Sequence, residues 1–311
     1  MSQPSAPVGS QVVAETLDGR ATRASQLLHL AVPAILVLGS FAYLYRSVAV
    51  KLVHDWATDG NYSHGFLIVP LALYLAWERR DVLAATQWRP SAAGLLIVLG
   101  SVAVLAAGSL GAELFLTRVS IVGQVAGAIV FLFGWQYLRA LAFPVAFLLL
   151  MIPLPVLIFN QVAFPLQILA SRFGEAVLMM AGIPVLREGN VIILAHSTLE
   201  VAEACSGIRS LVSLFTLGLV YGYFMDSRTG VRIAIALSTV PIAIVANGLR
   251  VAGTGIAAQV YGPEAAEGFF HTFTGWVMFV VAFAAIFAVR KAIVSGIEMA
   301  HRFRTRGVTH S

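Results

Sequence analysis

The chain has 311 residues, of which 59% are hydrophobic and 11% are charged, and its mean hydropathy is +0.87. Soluble globular domains carry about 25% charged residues, so this composition excludes a soluble domain and indicates an integral membrane protein. The net charge of +5 is no sign of nucleic-acid binding, because in a membrane protein the placement of basic residues matters more than their sum. The single cysteine excludes an internal disulfide and a multi-cysteine metal site.

Charged residues punctuate the sequence and leave long neutral stretches between them. Each stretch is close to the roughly 17–25 residues that a helix needs to cross a bilayer. We therefore predict an all-α polytopic membrane protein with about eight transmembrane helices. The predicted spans are residues 24–45, 60–77, 92–112, 119–138, 140–159, 210–225, 233–249 and 268–289.

The segment 160–204, between the fifth and sixth predicted spans, breaks this pattern. Its first half, "NQVAFPLQILASRFGEAVLMMAG", has apolar residues at helical spacing with polar residues between them. That pattern predicts an amphipathic helix that lies at the interface, or a short re-entrant helix. The second half, "IPVLREGNVIILAHSTLEVAEA", predicts a small β-meander with turns at "REGN" and "HST", a β-branched strand at 191–194 and a half-buried strand at 199–201. The meander leads the chain to Cys205, at the start of the sixth span.

The placement of lysine and arginine orients the chain in the membrane. Most of the 20 basic residues fall on one side when both termini are cytoplasmic, as the positive-inside rule requires. We predict a multi-pass protein of the inner (plasma) membrane whose first apolar run stays as an anchor, since no small-residue cleavage site follows it. Its predicted parts are a polar cytoplasmic N-terminal tail (1–26), a single transmembrane domain (27–290) with an extracytoplasmic insertion (160–204), and a basic cytoplasmic tail (291–311).

Cys205 opens the sixth predicted span within the motif "ACSGIR". A cysteine reacts as its thiolate, and both the start of a helix and Arg209, one turn further on, favour that charged form. Ser206 and Gly207 follow the cysteine, and the glycine keeps bulk away so that a substrate backbone can approach. The alternative is that a lone cysteine in a membrane helix is a small apolar filler.

Arg250 closes the seventh predicted span and His271 opens the eighth, so both share the extracytoplasmic face with Cys205. Asn247 lies three residues before Arg250 on the same helix face, where it can hold the guanidinium or a substrate carbonyl. The alternatives are an interfacial arginine anchor and a hydrogen-bonded histidine in an aromatic belt. Together, a cysteine nucleophile, a histidine that carries protons and an arginine that stabilises an oxyanion are the groups that acyl transfer needs.

Three more polar residues are predicted to lie near this face. Tyr62 and His64, in "NYSHGF", either line the substrate entrance or cap the second span, and a direct catalytic role makes His64 the alternative to His271. Glu203 is placed to pair with Arg209 or another local cation. The histidines lack HxxxH or HxxE spacing, and the glycines near Gly253 follow no strand, so we expect no metal site and no cofactor.

The segments "EACSGIRSL", "NGLRV" and the one around His271, together with "YSHGFLIVPLALYLAWERR", resemble the signature blocks of the exosortase/archaeosortase family. The resemblance covers roughly residues 55–290. It implies a membrane-embedded cysteine transpeptidase with Cys205 as nucleophile and Arg250 and His271 as the other catalytic residues. The implied substrates are exported proteins that end in a sorting tag, which consists of a short motif such as Pro-Glu-Pro, a hydrophobic helix and a basic cluster.

The resemblance also implies how such a protein acts. The tag is cleaved at the outer face of the inner membrane through a thioester on Cys205, which an amine or water then resolves. The expected partners are tagged exported proteins and the lipid bilayer, and no nucleic acid. Two other classes stay open: an envelope polysaccharide transporter or flippase, which predicts polar groups at the bilayer midplane, and a non-enzymatic membrane assembly protein, which predicts that Cys205→Ala leaves function intact.

Overall fold

The computed structural model describes residues 35–36, 39–195, 197–201, 207–262 and 269–308, with the backbone alone at 269–274 and 300–308. The chain divides into two units, Met1–Pro153 and Leu154–Ser311. Both units are predominantly helical, because the bilayer core offers no water to backbone N–H and C=O groups, and a helix satisfies these groups internally.

The first unit is a series of helices joined by short turns. Helices α4 and α5 pack closely, because a Cβ atom at Gly94 or Gly127 would overlap the backbone of the opposite helix. The elements are α1 (39–58), α2 (Gly65–Glu78), α3 (Arg80–Ala85), α4 (Ala93–Leu110), α5 (Leu114–Leu132), α6 (Trp135–Ala140), α7 (Ala142–Phe147) and a 3₁₀ turn (Leu148–Met151).

The second unit combines helices with one small sheet. Helices α8 and α10 run side by side in the same direction, since Gly248 contacts Phe173 and Gly255 contacts Leu178. The elements are α8 (Val156–Met180), β1 (Val185–Glu188), β2 (Val191–Leu194), β3 (Thr198–Glu200), α9 (Ile208–Met225), α10 (Thr229–Tyr261) and α11 (Phe269–Val308).

Helices α9, α10 and α11 pack around a shared apolar core. Two arginines cap the last carbonyl groups at the end of α9: Arg232 Nε donates to Asp226 O at 2.6 Å, and Arg290 Nη2 donates to Met225 O at 2.8 Å. These bonds fix the three helices relative to one another. The first turn of α9, the second half of α10 and the start of α11 therefore meet at the opposite end of the group.

Six helices in the described part of the chain are long and apolar enough to cross a membrane: α4, α5, α8, α9, α10 and residues Gly275–Met299 of α11. Two shorter apolar helices, Gly65–Glu78 and Ala142–Met151, accompany them. The chain is therefore a multi-pass, mostly helical membrane protein, as predicted. The count of eight spans and the orientation of the termini stay predictions.

The predicted fifth span, residues 140–159, is not one helix. The chain leaves α7 through the 3₁₀ turn, runs irregularly over 152–155 and enters α8 at Val156. Pro153 and Pro155 explain the break, because proline lacks an N–H group and disfavours helical geometry in the residue before it. The segment predicted to be an interfacial or re-entrant helix is helical and forms most of α8, a continuous helix of 25 residues whose length and composition also suit a membrane crossing.

The first described helix extends further along the chain than the predicted span. Residues 39–58 are helical, whereas the predicted span ends at residue 45 because Arg46 was taken as its boundary. The side chains of Arg46 and Lys51 are both exposed on α1. Their long apolar stems let the charges reach towards water while the helix continues.

The structure describes the predicted C-terminal tail in part and the predicted N-terminal tail not at all. The polar tail 1–26 lies outside the described residues. At the other end, α11 continues to Val308, so the predicted basic tail 291–311 begins as an extension of the last span. A helix bonds its own backbone groups and therefore continues beyond the apolar stretch without penalty.

The three-stranded meander is confirmed. The strands β1, β2 and β3 pair antiparallel in that order. The "REGN" turn contains Gly189, whose φ of +64° is accessible to glycine at no steric cost. The "HST" turn is closed by the N–H of Leu194, which donates to Ser197 O at 2.8 Å; His196 lies outside the described residues.

Polar bonds and apolar packing fix this sheet on α8. Glu175 accepts a hydrogen bond from Arg187 Nε at 2.7 Å, and Ser171 Oγ donates to Gly189 O at 3.0 Å. Between these bonds, the fully buried Ile192 packs into a core shared by the sheet, α8 and α10. The meander is therefore a fixed part of the second unit.

A buried ion pair joins α1 and α5 in the first unit. Arg118, 4% exposed, donates to the carboxylate of Asp55, 27% exposed. A second polar link joins the same helices, since the Tyr45 O–H donates to Ser120 Oγ at 3.0 Å. A charge inside a membrane protein persists only when it is paired or reaches water.

Arg118→Ala is expected to destabilise the protein by about 3 kcal/mol, because it leaves the Asp55 carboxylate without its partner. Arg118→Met combined with Asp55→Leu is expected to recover most of the loss, since apolar residues of similar volume often replace a buried ion pair at little cost. Thermal denaturation in detergent measures both effects. The exposed Lys51→Ala is the control, with an expected change below about 0.5 kcal/mol. A double variant as unstable as the single one would contradict this account.

Candidate active site

Three predicted site residues, Glu203, Cys205 and Ser206, lie outside the described residues. The chain before them is well fixed. Val201 is buried, its N–H donates to Asn190 O at 2.9 Å, and Asn190 Nδ2 donates to Val201 O at 3.2 Å. The meander therefore anchors one end of this segment, and the first residues of α9 anchor the other.

Gly207 immediately precedes α9 and packs directly on α10. Its φ is +77° and its ψ is −4°, which is the left-handed region that residues with a Cβ atom adopt only at a cost. A Cβ atom at this position would lie 2.7 Å from Asn247 Cγ. Asn247 is itself only 5% exposed, so it has little room to move away. Backbone geometry and close packing together require glycine here.

Arg250 lies one turn after Asn247 on α10 and reaches across to α11. Its Cζ, Nε and Nη2 atoms are 3.5, 3.5 and 3.6 Å from the position that a Cβ atom of Gly275 would occupy. Glycine thus leaves a flat surface on α11 for the guanidinium. His271 lies one helical turn before Gly275 on the same helix.

The junction of α9, α10 and α11 gathers these segments. Ser210, Asn247, Arg250 and Gly275 line one gap of about 20 Å³. A gap of this size holds about one water molecule, so the described residues of the junction are closely packed. The structure thus brings the Asn247–Arg250 turn together with segments that lie two to five residues from Cys205 and four residues from His271.

The structure also adds a residue that sequence reasoning missed. Gly275 contacts the Arg250 guanidinium, and the signal in the sequence was its position four residues after His271, on the same helix face. Arg209 lies in the first turn of α9, is exposed and does not line the gap. Its predicted influence on Cys205 stays a prediction.

Tyr62 and His64 belong to the first unit, in the turn that precedes α2. His64 Nε2 donates to Leu150 O at 3.1 Å, and its side chain makes no capping bond to α2. His64 is nevertheless the N-cap residue of α2 through its backbone, since its carbonyl accepts from the N–H of Leu67 at 2.9 Å. Its imidazole is tied to the 3₁₀ turn. The next residue, Gly65, has no room for a side chain because the Trp56 indole covers it. The predicted role of Tyr62 and His64 at a substrate entrance stays a prediction.

Comparison with known proteins identifies the class of this membrane protein. The family described as transmembrane exosortase (Exosortase_EpsH) matches residues 56–288, in both units and over most of the chain. The chain therefore belongs to the transmembrane exosortase family, and the resemblance drawn from its sequence motifs is confirmed. No curated protein and no solved structure shows a significant match.

Proposed function

We propose that the chain is a cysteine-dependent transpeptidase or protease that removes a C-terminal sorting tag from exported proteins at the outer face of the inner membrane. Membership of the transmembrane exosortase family supports a role in sorting transpeptidation. The structural observation that carries the proposal is the junction of α9, α10 and α11. There, Arg250 lies against Gly275 and Asn247 lies against Gly207.

Chain connectivity ties the proposed catalytic groups to this junction. Two peptide units, which span at most about 7 Å, separate Gly207 from Cys205. His271 precedes Gly275 by one helical turn, a rise of about 6 Å. A nucleophile and a proton carrier this close along the chain to the junction that holds Arg250 fit the requirements of acyl transfer.

In the proposed reaction, the Cys205 thiolate attacks the carbonyl carbon of the scissile peptide bond in the tag. The carbonyl π electrons move to oxygen, and the N–H groups of Arg250 stabilise the resulting oxyanion. The oxyanion then collapses while protonated His271 donates its proton to the nitrogen of the breaking C–N bond. A thioester remains on Cys205, and the C-terminal fragment leaves as an amine.

The second half of the reaction returns the enzyme to its starting state. An amine, in transfer, or water, in hydrolysis, attacks the thioester carbonyl and gives its proton to His271. The C–S bond breaks, and the thiolate of Cys205 is restored. The scheme uses no metal or cofactor.

The distribution of arginines supports the extracytoplasmic location of this chemistry. Arg232 and Arg290 cap the end of α9 that lies opposite the junction. The positive-inside rule favours the cytoplasm for the arginine-rich end of a helix group. The junction then faces outwards, where the motif of a tag whose own helix spans the membrane is accessible.

Co-expression with an exported reporter tests the proposal. One reporter ends in a Pro-Glu-Pro-type motif, a hydrophobic helix and a basic cluster, and a matched reporter has alanines in place of the motif. We expect the first reporter to become smaller on an immunoblot and the second to keep its size. If neither is shortened while the protein is present in the membrane, the proposal fails. If both are shortened equally, the activity is not directed at the tag.

Gly207→Ala is expected to lower reporter processing by about 10²-fold, because a shift of about 1 Å near reacting groups has effects of this size. The new Cβ atom meets Asn247 and disfavours the left-handed backbone at the entry to α9. Gly182→Ala is the matched control, since Gly182 has a φ of +76° and open space around it. The control carries the same backbone strain without the contact. Equal effects of the two variants would mean that the Asn247 contact is unimportant.

A further inference from the structure

A large apolar cavity lies inside the first unit, between α1, α2, α5 and the stretch from α7 to the 3₁₀ turn. Its volume is about 500 Å³. Buried side chains, including Leu52, Ala72 and Ile121, form its floor. Val53, 46% exposed, and Leu73, 67% exposed, lie at its rim. The cavity is therefore closed beneath and open where α1 and α2 present these two side chains.

The wall of this cavity presents carbon atoms almost exclusively. Tyr45 and Trp56 line it and carry polar groups, but both groups are bonded within the protein. The Tyr45 O–H donates to Ser120 Oγ at 3.0 Å, and the Trp56 indole N–H donates to Met151 O at 2.9 Å. Water needs polar partners, and an apolar cavity of about 150 Å³ already stays dry and binds small apolar molecules. This larger cavity, in a membrane protein, is suited to hydrocarbon.

One end of the cavity is rich in arginine. Ala76 on α2 and Leu141 between α6 and α7 line this end. Arg79 and Arg80 follow Ala76 within four residues, and Arg139 precedes Leu141 by two. The chain segments at this end carry a net positive charge, since four arginines outnumber two carboxylates, one of which, Asp81, lies 3.9 Å from Arg80 Nε. These charged residues are Arg79, Arg80, Arg89, Arg139, Glu78 and Asp81.

Exposed aromatic residues indicate that the arginine-rich end of the cavity lies at the membrane–water interface. Trp77 is 56% exposed and Trp135 is 46% exposed, which is typical of an aromatic belt. The Tyr137 O–H donates to Thr86 O at 3.5 Å and holds α6 beside the end of α3. The arginine Arg80 lies over the Trp77 ring, 4.2 Å from its centre. The cavity therefore runs from a basic, interfacial end into the apolar interior.

We propose that this cavity binds one acyl chain of an anionic glycerophospholipid, whose phosphate lies among the arginines at its end. The apolar wall favours an acyl chain. The exposed tryptophans lie at the depth in the membrane where the glycerol backbone of a lipid is found. The excess positive charge selects an anionic headgroup over a zwitterionic one. The inference rests on the first unit alone and does not depend on the proposed function.

Native mass spectrometry tests the acyl-chain site. The full chain is released from nanodiscs that contain equal amounts of phosphatidylcholine and phosphatidylglycerol, and the retained lipid is identified. We expect a single phosphatidylglycerol, preferred by about tenfold, because basic side chains at the membrane surface favour anionic lipid by this order. Ala72→Phe places a ring in the cavity and is expected to abolish retention. Ala146→Phe, exposed on α7 and outside the lining, is expected to retain the lipid.

A second pair of variants tests the headgroup. Arg80→Gln with Arg139→Gln is expected to keep a bound lipid but to lose the preference for phosphatidylglycerol. Arg172→Gln with Lys291→Gln removes the same charge from exposed positions of the second unit and is expected to keep the preference. Equal retention of both lipids by the wild type would overturn the headgroup assignment.

Three results would overturn the acyl-chain assignment. The first is lipid retention by folded Ala72→Phe at the wild-type level. The second is an equal rise in melting temperature for Ala72→Phe with and without lipid, which would identify the cavity as an empty void. Should Ala72→Phe fail to fold, Val125→Phe on the opposite wall provides the same test, and its retention of the lipid is the third such result.

Discussion

Replacing Cys205 by alanine or serine is expected to abolish processing of the tagged reporter, with a loss of at least about 10⁴-fold. The thiolate is the attacking group in the proposed reaction. A methyl group cannot attack, and a serine hydroxyl stays protonated without a dedicated base. Immunoblots of the reporter and initial rates of the purified protein in detergent measure the loss. The amount of each variant in the membrane serves as the control.

The single cysteine of the chain permits a chemical test of the same prediction. A maleimide can modify only Cys205, so we expect it to inhibit the wild type and to have no target in Cys205→Ala. Hydroxylamine is expected to intercept the thioester and leave a hydroxamate on the shortened reporter. Processing by Cys205→Ala at the wild-type rate would make Cys205 a packing residue. The acyl-transfer mechanism would then fall, and the transporter and assembly alternatives would return.

The parts of the fold that were predictable have strong local signals. The predicted spans 210–225 and 233–249 fall on α9 and α10 because the charged turn at Asp226–Arg228 separates two apolar runs. The meander was predictable because the strand around Ile192 is rich in β-branched residues and the "REGN" turn contains a glycine. Charged residues end an apolar helix, β-branched residues favour a strand and glycine favours a turn, so each of these features follows from nearby residues alone.

The errors arose where a charge or a proline was given one fixed meaning. Arg46 was taken to end the first span, yet its exposed side chain allows α1 to continue. Pro153 and Pro155 were placed inside a span, yet they separate the 3₁₀ turn from α8. The Val156–Met180 helix was predicted to begin later, after a separate span, and its polar residues were taken as an interfacial face, although Ser171 and Glu175 bond to the sheet.

In the candidate site, the sequence predicted positions within one helix but not contacts between helices. Spacing along one helix placed Asn247 and Arg250 on a common face, and both line the gap between α9, α10 and α11. Spacing cannot identify partners on other helices, so the contacts with Gly207 and Gly275 emerged only in the structure. A glycine in the sequence indicates free space but not which partner occupies it, and here Asn247 and Arg250 lie against Gly207 and Gly275.

Arg250→Lys is expected to reduce the rate of processing by about 10²-fold, the order found when one oxyanion donor is removed. Lysine keeps the positive charge but lacks the planar set of N–H donors of the guanidinium. Initial rates at saturating reporter measure the effect. Arg172→Lys, an exposed site on α8, is the control and is expected to leave the rate unchanged. An unchanged rate in Arg250→Lys would mean that Arg250 contributes only charge.

Gly275 allows the position of Arg250 to be tested without changing the arginine. A Cβ atom at Gly275 would lie 3.5 Å from the guanidinium, an ordinary contact distance, so Gly275→Ala is expected to process normally. The larger side chain of Gly275→Leu needs the volume that the guanidinium occupies, so we expect a loss of about 10²-fold, as in Arg250→Lys. Gly296→Leu, on the same helix with open space around it, should have no effect.

Combining the two changes separates a positional effect from a general loss of structure. If Gly275→Leu acts by displacing Arg250, the double variant with Arg250→Lys should process no more slowly than either single variant, since residues in contact are not additive. If the leucine merely loosens the packing of α11, the two losses should multiply to about 10⁴-fold. The first outcome would place the guanidinium on Gly275 during the reaction. The second would leave Arg250 catalytic but free of any requirement for this surface.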